Sequence, residues 1–239
     1  MSRQKSRLAA LVVASLLLVL MVADACREMG PEPPLGFVLI ARRTPPDASL
    51  YLRGVCAGMV VTDGVVVTAR HCFPSGADSR YTVIQHASDL CQTTPDEGLP
   101  VAAVITSDPA TDLMYLSVPG VLAAEPVGLP PEAGATLEAW GWGGQSTAHR
   151  VCQVRPIALT LRPEAACAPE REQYGLADTF FCVVPAQPDG RNTCSGDSGG
   201  PVLHRLADGR RVVVGVTSSG AGCGPGTVGF VAALQATPY

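Results

Sequence analysis

The chain has 239 residues, a formal net charge of −4 and no long basic block, so nucleic-acid binding has no electrostatic support. Its 25 glycines and 21 prolines, against only 5% aromatic residues, call for many short strands joined by turns, with Val, Leu and Ala filling the core. Nine cysteines is an odd number and leaves at least one outside any intramolecular pair.

In chain order, Arg3, Lys5 and Arg7 precede an apolar run from Leu8 to Val22, which ends in Ala23-Asp24-Ala25. A basic start, an apolar stretch and a small-x-small end form the pattern of an export signal, here residues 1–25. The apolar run falls short of the roughly 20 residues that a membrane span needs. Removing the segment takes the net charge to about −6 and delivers the rest, residues 26–239, to a compartment where disulfides persist. Cys26 then becomes the first residue, and two readings stand open. Either cleavage after Ala25 is ordinary and the protein is freely exported, or Cys26 is lipidated and holds it to a membrane. Ala23 and Asp24 depart from the usual lipobox.

From Phe37 onward the pattern is all-β. Apolar runs recur at 58–61, 65–69, 81–85, 101–106, 113–118 and 136–142, then at 152–161, 179–184, 201–204, 211–217 and 227–234. Asp63-Gly64 and Asp208-Gly209 read as tight hairpin turns. Only 163–172 and the last few residues have helical character. Some eleven short strands imply a sandwich or a pair of barrels, and the Pro-rich stretch 127–134 is the expected boundary between two halves.

Three segments carry chemistry. In Cys194-Ser195-Gly196-Asp197-Ser198-Gly199-Gly200-Pro201, a serine stands where the backbone N–H groups of Gly196 and Ser198 can converge on one point, an oxyanion hole. Gly199 and Gly200 allow a tight turn behind it. In Val67-Thr68-Ala69-Arg70-His71-Cys72, a Cys56–Cys72 bridge would close a loop of about 15 residues, worth roughly 3 kcal/mol, and would pin His71 as a general base. His86, His149 and His204 have no such setting and read as structural or exposed. Asp112 opens the run 113–118 and can accept the imidazole Nδ1 proton; Asp108, which precedes a proline, reads as a turn former.

With these residues in hand, the chain resembles the chymotrypsin/trypsin family of serine peptidases, in the order His71, Asp112, Ser198. Trp140-Gly141-Trp142-Gly143 is similar to the family's Gly-Trp-Gly strand, and Thr217-Ser218-Ser219-Gly220 to its substrate-binding edge. The Ala-, Gly-, Pro-, Arg- and Val-rich composition suits a GC-rich bacterial genome. The resemblance implies two perpendicular six-stranded antiparallel barrels with the active site between them, and bridges Cys194–Cys223 and Cys167–Cys182. It also implies a specificity pocket built from Asn192, Thr193, Ser218, Ser219, Gly220 and Gly226, with a polypeptide substrate laid along 218–220.

Three departures from the family follow. No Ile-Val-Gly-Gly type sequence stands near Met29-Gly30-Pro31-Glu32, so the group that neutralises Asp197 is open: an arginine, the amino terminus left by signal cleavage, or nothing before activation. At the pocket base Asn192 replaces the aspartate of trypsins, which removes the charge that a substrate Lys or Arg needs. A bridge between the barrels is lost, with Leu137 and His204 at its positions, while Cys152 pairs with either Cys26 or Cys91.

The expected function is hydrolysis of peptide bonds by acyl transfer, in an exported monomer. No metal or organic cofactor is expected, and Asp89, Asp96 and Glu97 read as a solvated turn rather than a Ca²⁺ loop. A silent binding protein or a lipid-anchored envelope protein on the same fold is the alternative.

Overall fold

The computed structural model describes residues 32–43, 56–94, 96, 98–122, 125–146 and 149–234. The export segment, Cys26, Met29-Gly30-Pro31 and Glu97 lie outside these residues.

Two all-β halves follow each other along the chain. The first contains β1 (Phe37–Arg42), β2 (Cys56–Thr62), β3 (Val65–Ala69), β4 (Tyr81–Gln85), β5 (Leu99–Pro100), β6 (Ala103–Asp108) and β7 (Leu113–Ser117). These strands form a seven-stranded sheet in the order β5-β4-β1-β2-β3-β7-β6. The second half contains β8 (Thr136–Ser146), β9 (His149–Leu161), α1 (Glu164–Gln173), β10 (Phe180–Pro185), β11 (Pro201–Arg205), β12 (Arg211–Gly220) and β13 (Gly229–Ala233). Its six strands close into a barrel, β10-β13-β12-β11-β8-β9. The first half thus differs in detail from a closed six-stranded barrel. It carries a seventh, two-residue strand, and its edge strands β5 and β6 do not pair with each other.

Both faces of the central strands are buried, which is why they read as continuous apolar runs rather than alternating ones. Val38 and Ile40 of β1 point to one side, with Val60, Val66 and Leu116, and fill the first half. Phe37 and Leu39 point to the other, where they join Met59, Trp140, Trp142 and Phe230. A third cluster, including Leu137, Leu159, Val202, Val214 and Val231, fills the closed barrel. The middle cluster therefore joins the two halves, and Phe37 meets Trp142 across it with ring centroids 4.9 Å apart.

Among the described residues four disulfides are present: Cys56–Cys72, Cys91–Cys152, Cys167–Cys182 and Cys194–Cys223. Of the two partners open to Cys152, the structure has Cys91. Leu137 and His204 are direct neighbours in the β8–β11 pairing. Both belong to the closed barrel, so the bridge they replace lies within one half and not between the two, a correction to the reading from sequence.

Candidate active site

His71 stands on a single 3₁₀ turn, Arg70–Cys72, that follows β3 directly. The Cys56–Cys72 bridge ties that turn back to the start of β2. Asp112 lies just before β7, the neighbour of β3, with a left-handed backbone (φ 54°). For a non-glycine residue that conformation is uncommon, and here it is over-determined by bonds. The Asp112 carbonyl accepts from Arg70 N at 2.7 Å. Its carboxylate accepts from His71 N at 2.9 Å through Oδ1. Oδ2 lies 2.7 Å from His71 Nδ1 and accepts from Ser218 Oγ at 2.6 Å.

Burial works to raise the Asp112 carboxyl, but the hydrogen bonds from His71 and Ser218 outweigh it and hold the group below the usual carboxylate range. An ionised carboxylate can only accept, so Nδ1 carries the proton and Nε2 of a neutral imidazole is the free base. Asp108 is occupied within its own turn, where it accepts from Ala110 N and Thr111 Oγ1.

Ser198, in the second half, is fastened to the first half through its backbone. Its carbonyl accepts from Ala57 N at 2.8 Å, one residue from the bridged Cys56. Gly199 N donates to Thr217 O at 2.8 Å. A Cβ at Gly199 would lie 2.2 Å from Ala57 O, and one at Gly200 2.2 Å from Trp140 O. Gly199, with φ 80°, serves the turn as well, and both glycines permit the close approach of β2 and β8. Gly196 has φ 104°. Among the described residues, neither Gly196 N–H nor Ser198 N–H donates to a backbone carbonyl.

Asp197, between them, is fully buried. Its Oδ1 accepts from Gly143 N at 2.7 Å and its Oδ2 from Cys194 N at 2.8 Å. Arg191 Nη1 lies 3.9 Å from Oδ2. Burial pushes the Asp197 carboxyl up, against the pull of Arg191 and the two N–H groups. Burial likewise pulls the Arg191 guanidinium down, while Asp197 opposes it.

Beside Ser198 is a cavity of about 120 Å³ lined by Thr193, Cys194, Ser195, Thr217, Ser218, Ser219, Gly220, Gly222 and Cys223. A wider cleft of about 630 Å³ adjoins it, with His71, Asp112, Pro109, Ala110, Leu176 and Phe180 among its walls. Ser218 and Ser219 line both.

The family model described as Trypsin matches residues 40–237. The chain belongs to the trypsin family. It is a serine endopeptidase, a hydrolase that acts on polypeptide substrates. Among curated relatives, trypsin delta and trypsin gamma of Drosophila erecta are each 29% identical to it, and the match covers 76% of either chain. Trypsin beta of the same fly is 28% identical over 75% of this chain.

Within this trypsin-family fold, two residues assigned to the pocket from sequence, Gly226 and Asn192, are not among those lining this cavity. Gly226 has φ 70°, with open space where its Cβ would be. Gly229, at the start of β13, packs against the Asn192 side chain, since a Cβ there would meet Asn192 Oδ1 at 2.7 Å and Val183 Cγ2 at 3.2 Å. Asn192 is fully buried beneath the cavity rather than lining it. Its Nδ2 donates to Thr227 O at 2.8 Å, and its Oδ1 accepts from Thr193 N at 2.8 Å.

Asp89 accepts from Cys91 N, Gln92 Nε2 and Gln153 Nε2. Its two cysteine neighbours, Cys91 and Cys152, are oxidised and offer no thiolate.

Proposed function

We propose that this endopeptidase is exported and works through Ser198, His71 and Asp112. Ser198 Oγ attacks the scissile carbonyl, and His71 Nε2 takes its proton and then gives it to the leaving amine. Water repeats the sequence on the acyl-enzyme, and the N–H groups of Gly196 and Ser198 hold the oxyanion in both halves of the reaction. The observation that carries this reading is the double grip of Asp112 on His71, at Nδ1 and at the backbone N, with Ser218 closing the carboxylate's remaining side. Four disulfides fit an oxidising compartment, as does an export signal at 1–25.

The substrate class follows from the cavity beside Ser198. Its lining contains no charged residue, and the amide of Asn192 beneath it is satisfied internally. A substrate Lys or Arg would have to lose its water with no compensating charge, at a cost of several kcal/mol. The P1 side chain is therefore uncharged: Leu, Met, Phe or Gln, favoured over Lys and Arg by about tenfold or more, which corresponds to ~1.4 kcal/mol.

A peptide library digested by the purified protein, with cleavage sites read by mass spectrometry, tests both points. The parent cuts after uncharged residues and Ser198→Ala does not cut. Equal cleavage by the variant would refute the nucleophile, and cleavage mainly after Arg or Lys would refute the reading of the pocket.

A further inference from the structure

The Asp197 carboxylate lies at the centre of the site's architecture, between the two residues whose N–H groups would form the oxyanion hole. It is sealed against the backbone of β8: a Cβ at Gly141 would fall 2.1 Å from Oδ1, and one at Gly143 2.2 Å from Oδ2. That contact explains why glycines alternate with the two tryptophans of Trp140-Gly141-Trp142-Gly143. A carboxylate with no exposed surface needs a positive partner, because an uncompensated buried charge is strongly destabilising. Two backbone N–H groups supply part of the compensation.

Among the described residues, the cation in ion-pair range of Asp197 is Arg191. Its Nη1 donates to Gly143 O at 2.7 Å and lies 3.9 Å from Asp197 Oδ2. Gly143 thus donates its N–H to Asp197 and accepts at its carbonyl from Arg191, so one glycine residue holds carboxylate and guanidinium in register. Arg191 also immediately precedes Asn192, the buried residue under the pocket. The segment that carries the cation is the segment that forms the pocket floor.

We propose that Arg191 is a positioning residue that holds Asp197, and with it the Gly196–Ser198 loop, in the working conformation, so that the enzyme needs no amino group released by proteolytic activation. Pocket and oxyanion hole then form in the same folding event, and the protein is active as soon as its disulfides close. The proposal concerns regulation and rests on the peptidase reading above.

The test joins the full chain behind a carrier protein, so that no free amino terminus lies near the fold. Intactness is verified by mass, and reaction with a fluorophosphonate probe is measured. The parent fusion is expected to label at the rate of the unfused protein. Arg191→Met is expected to lose roughly 10²–10³-fold in labelling rate and kcat, the range for a displaced oxyanion donor. Arg191→Lys keeps a measurable fraction. Added guanidinium ion restores labelling to Arg191→Ala, a rescue that mere unfolding would not show.

A fusion that stays silent until proteolytic trimming, and then labels, would overturn the proposal while leaving the peptidase reading intact. So would an Arg191→Met protein that labels like the parent. If no form labels even after trimming, it is the peptidase reading that falls, and the proposal with it. Should Arg191→Met fail to form its four bridges, the lysine variant and the fusion still decide the matter.

Discussion

Both ends of the Asn192 amide are tied down inside the fold, and this changes what a substitution there can achieve. A carboxylate at this position would have no proton for Thr227 O, 2.8 Å away, so two oxygens would face each other in a buried site. Asn192→Asp is therefore expected to lose about 1–3 kcal/mol of stability and to gain little cleavage after Lys or Arg. A chemical-denaturation curve beside a P1 profile checks this; an undiminished midpoint with strong Arg cleavage would contradict it. Asp112 gives a pH prediction. Its folded carboxyl lies below its unfolded value, so its contribution to stability is full above about pH 4 and is lost as the pH falls further. The melting temperature of Asp112→Asn should accordingly decline less steeply than the parent's between about pH 4 and pH 2, while kcat drops by roughly 10⁴ because the imidazole tautomer is no longer fixed. At this scale His71, Asp112 and Ser198 stood out in the sequence, because each sits in an unusual local string. The glycine packed on Asn192 did not: Gly226 and Gly229 lie three residues apart after Cys223, and counting cannot tell which one the loop turns toward Asn192. Arg191 gave no signal either, since its partner is reached only by the folding of β8 over the loop.

At the scale of elements, the apolar runs located eleven of the thirteen strands. The two it missed have physical reasons. β5 is two residues long and includes Pro100, which has no N–H for a ladder. β1 has five successive buried residues, a run that periodicity alone cannot assign to strand rather than buried helix. The Cys91–Cys152 bridge was one of two open pairings, and the structure shows what accompanies it. Leu90 N donates to Cys152 O, Val154 N donates to Ser88 O, and Asp89 bridges Gln153. A short antiparallel contact thus fastens the segment after β4 to β9, across the two halves. With a sequence separation of 61 between the cysteines, closure is worth ~4 kcal/mol in the chain-entropy model. Replacing both Cys91 and Cys152 by Ala should lower the unfolding free energy by about 2–4 kcal/mol and leave kcat/KM within a few-fold of the parent. Thermal or denaturant unfolding with an activity assay checks this; unchanged stability would show that the strand contact alone fastens the halves.

For the whole molecule, the middle hydrophobic cluster has a functional consequence. Phe37, Met59, Trp140, Trp142 and Phe230 pack between the halves, so the elements bearing His71 and Asp112 are set against those bearing Ser198 by apolar burial rather than by a flexible tether. Composition and run spacing indicated an all-β chain in two parts, but periodicity could not distinguish a sandwich from paired barrels, because strands buried on both faces lose their alternation. The architecture was legible only through the resemblance of its motifs. Peptidase activity through the proposed site depends on one assembled serine, and phosphonylation measures it most directly. Intact mass and peptide mapping after fluorophosphonate treatment should find a single adduct per chain, on Ser198, with none in Ser198→Ala and a strongly slowed reaction in His71→Ala. A correctly disulfide-bonded protein that forms no adduct, or forms it on another serine at the parental rate, would contradict the account.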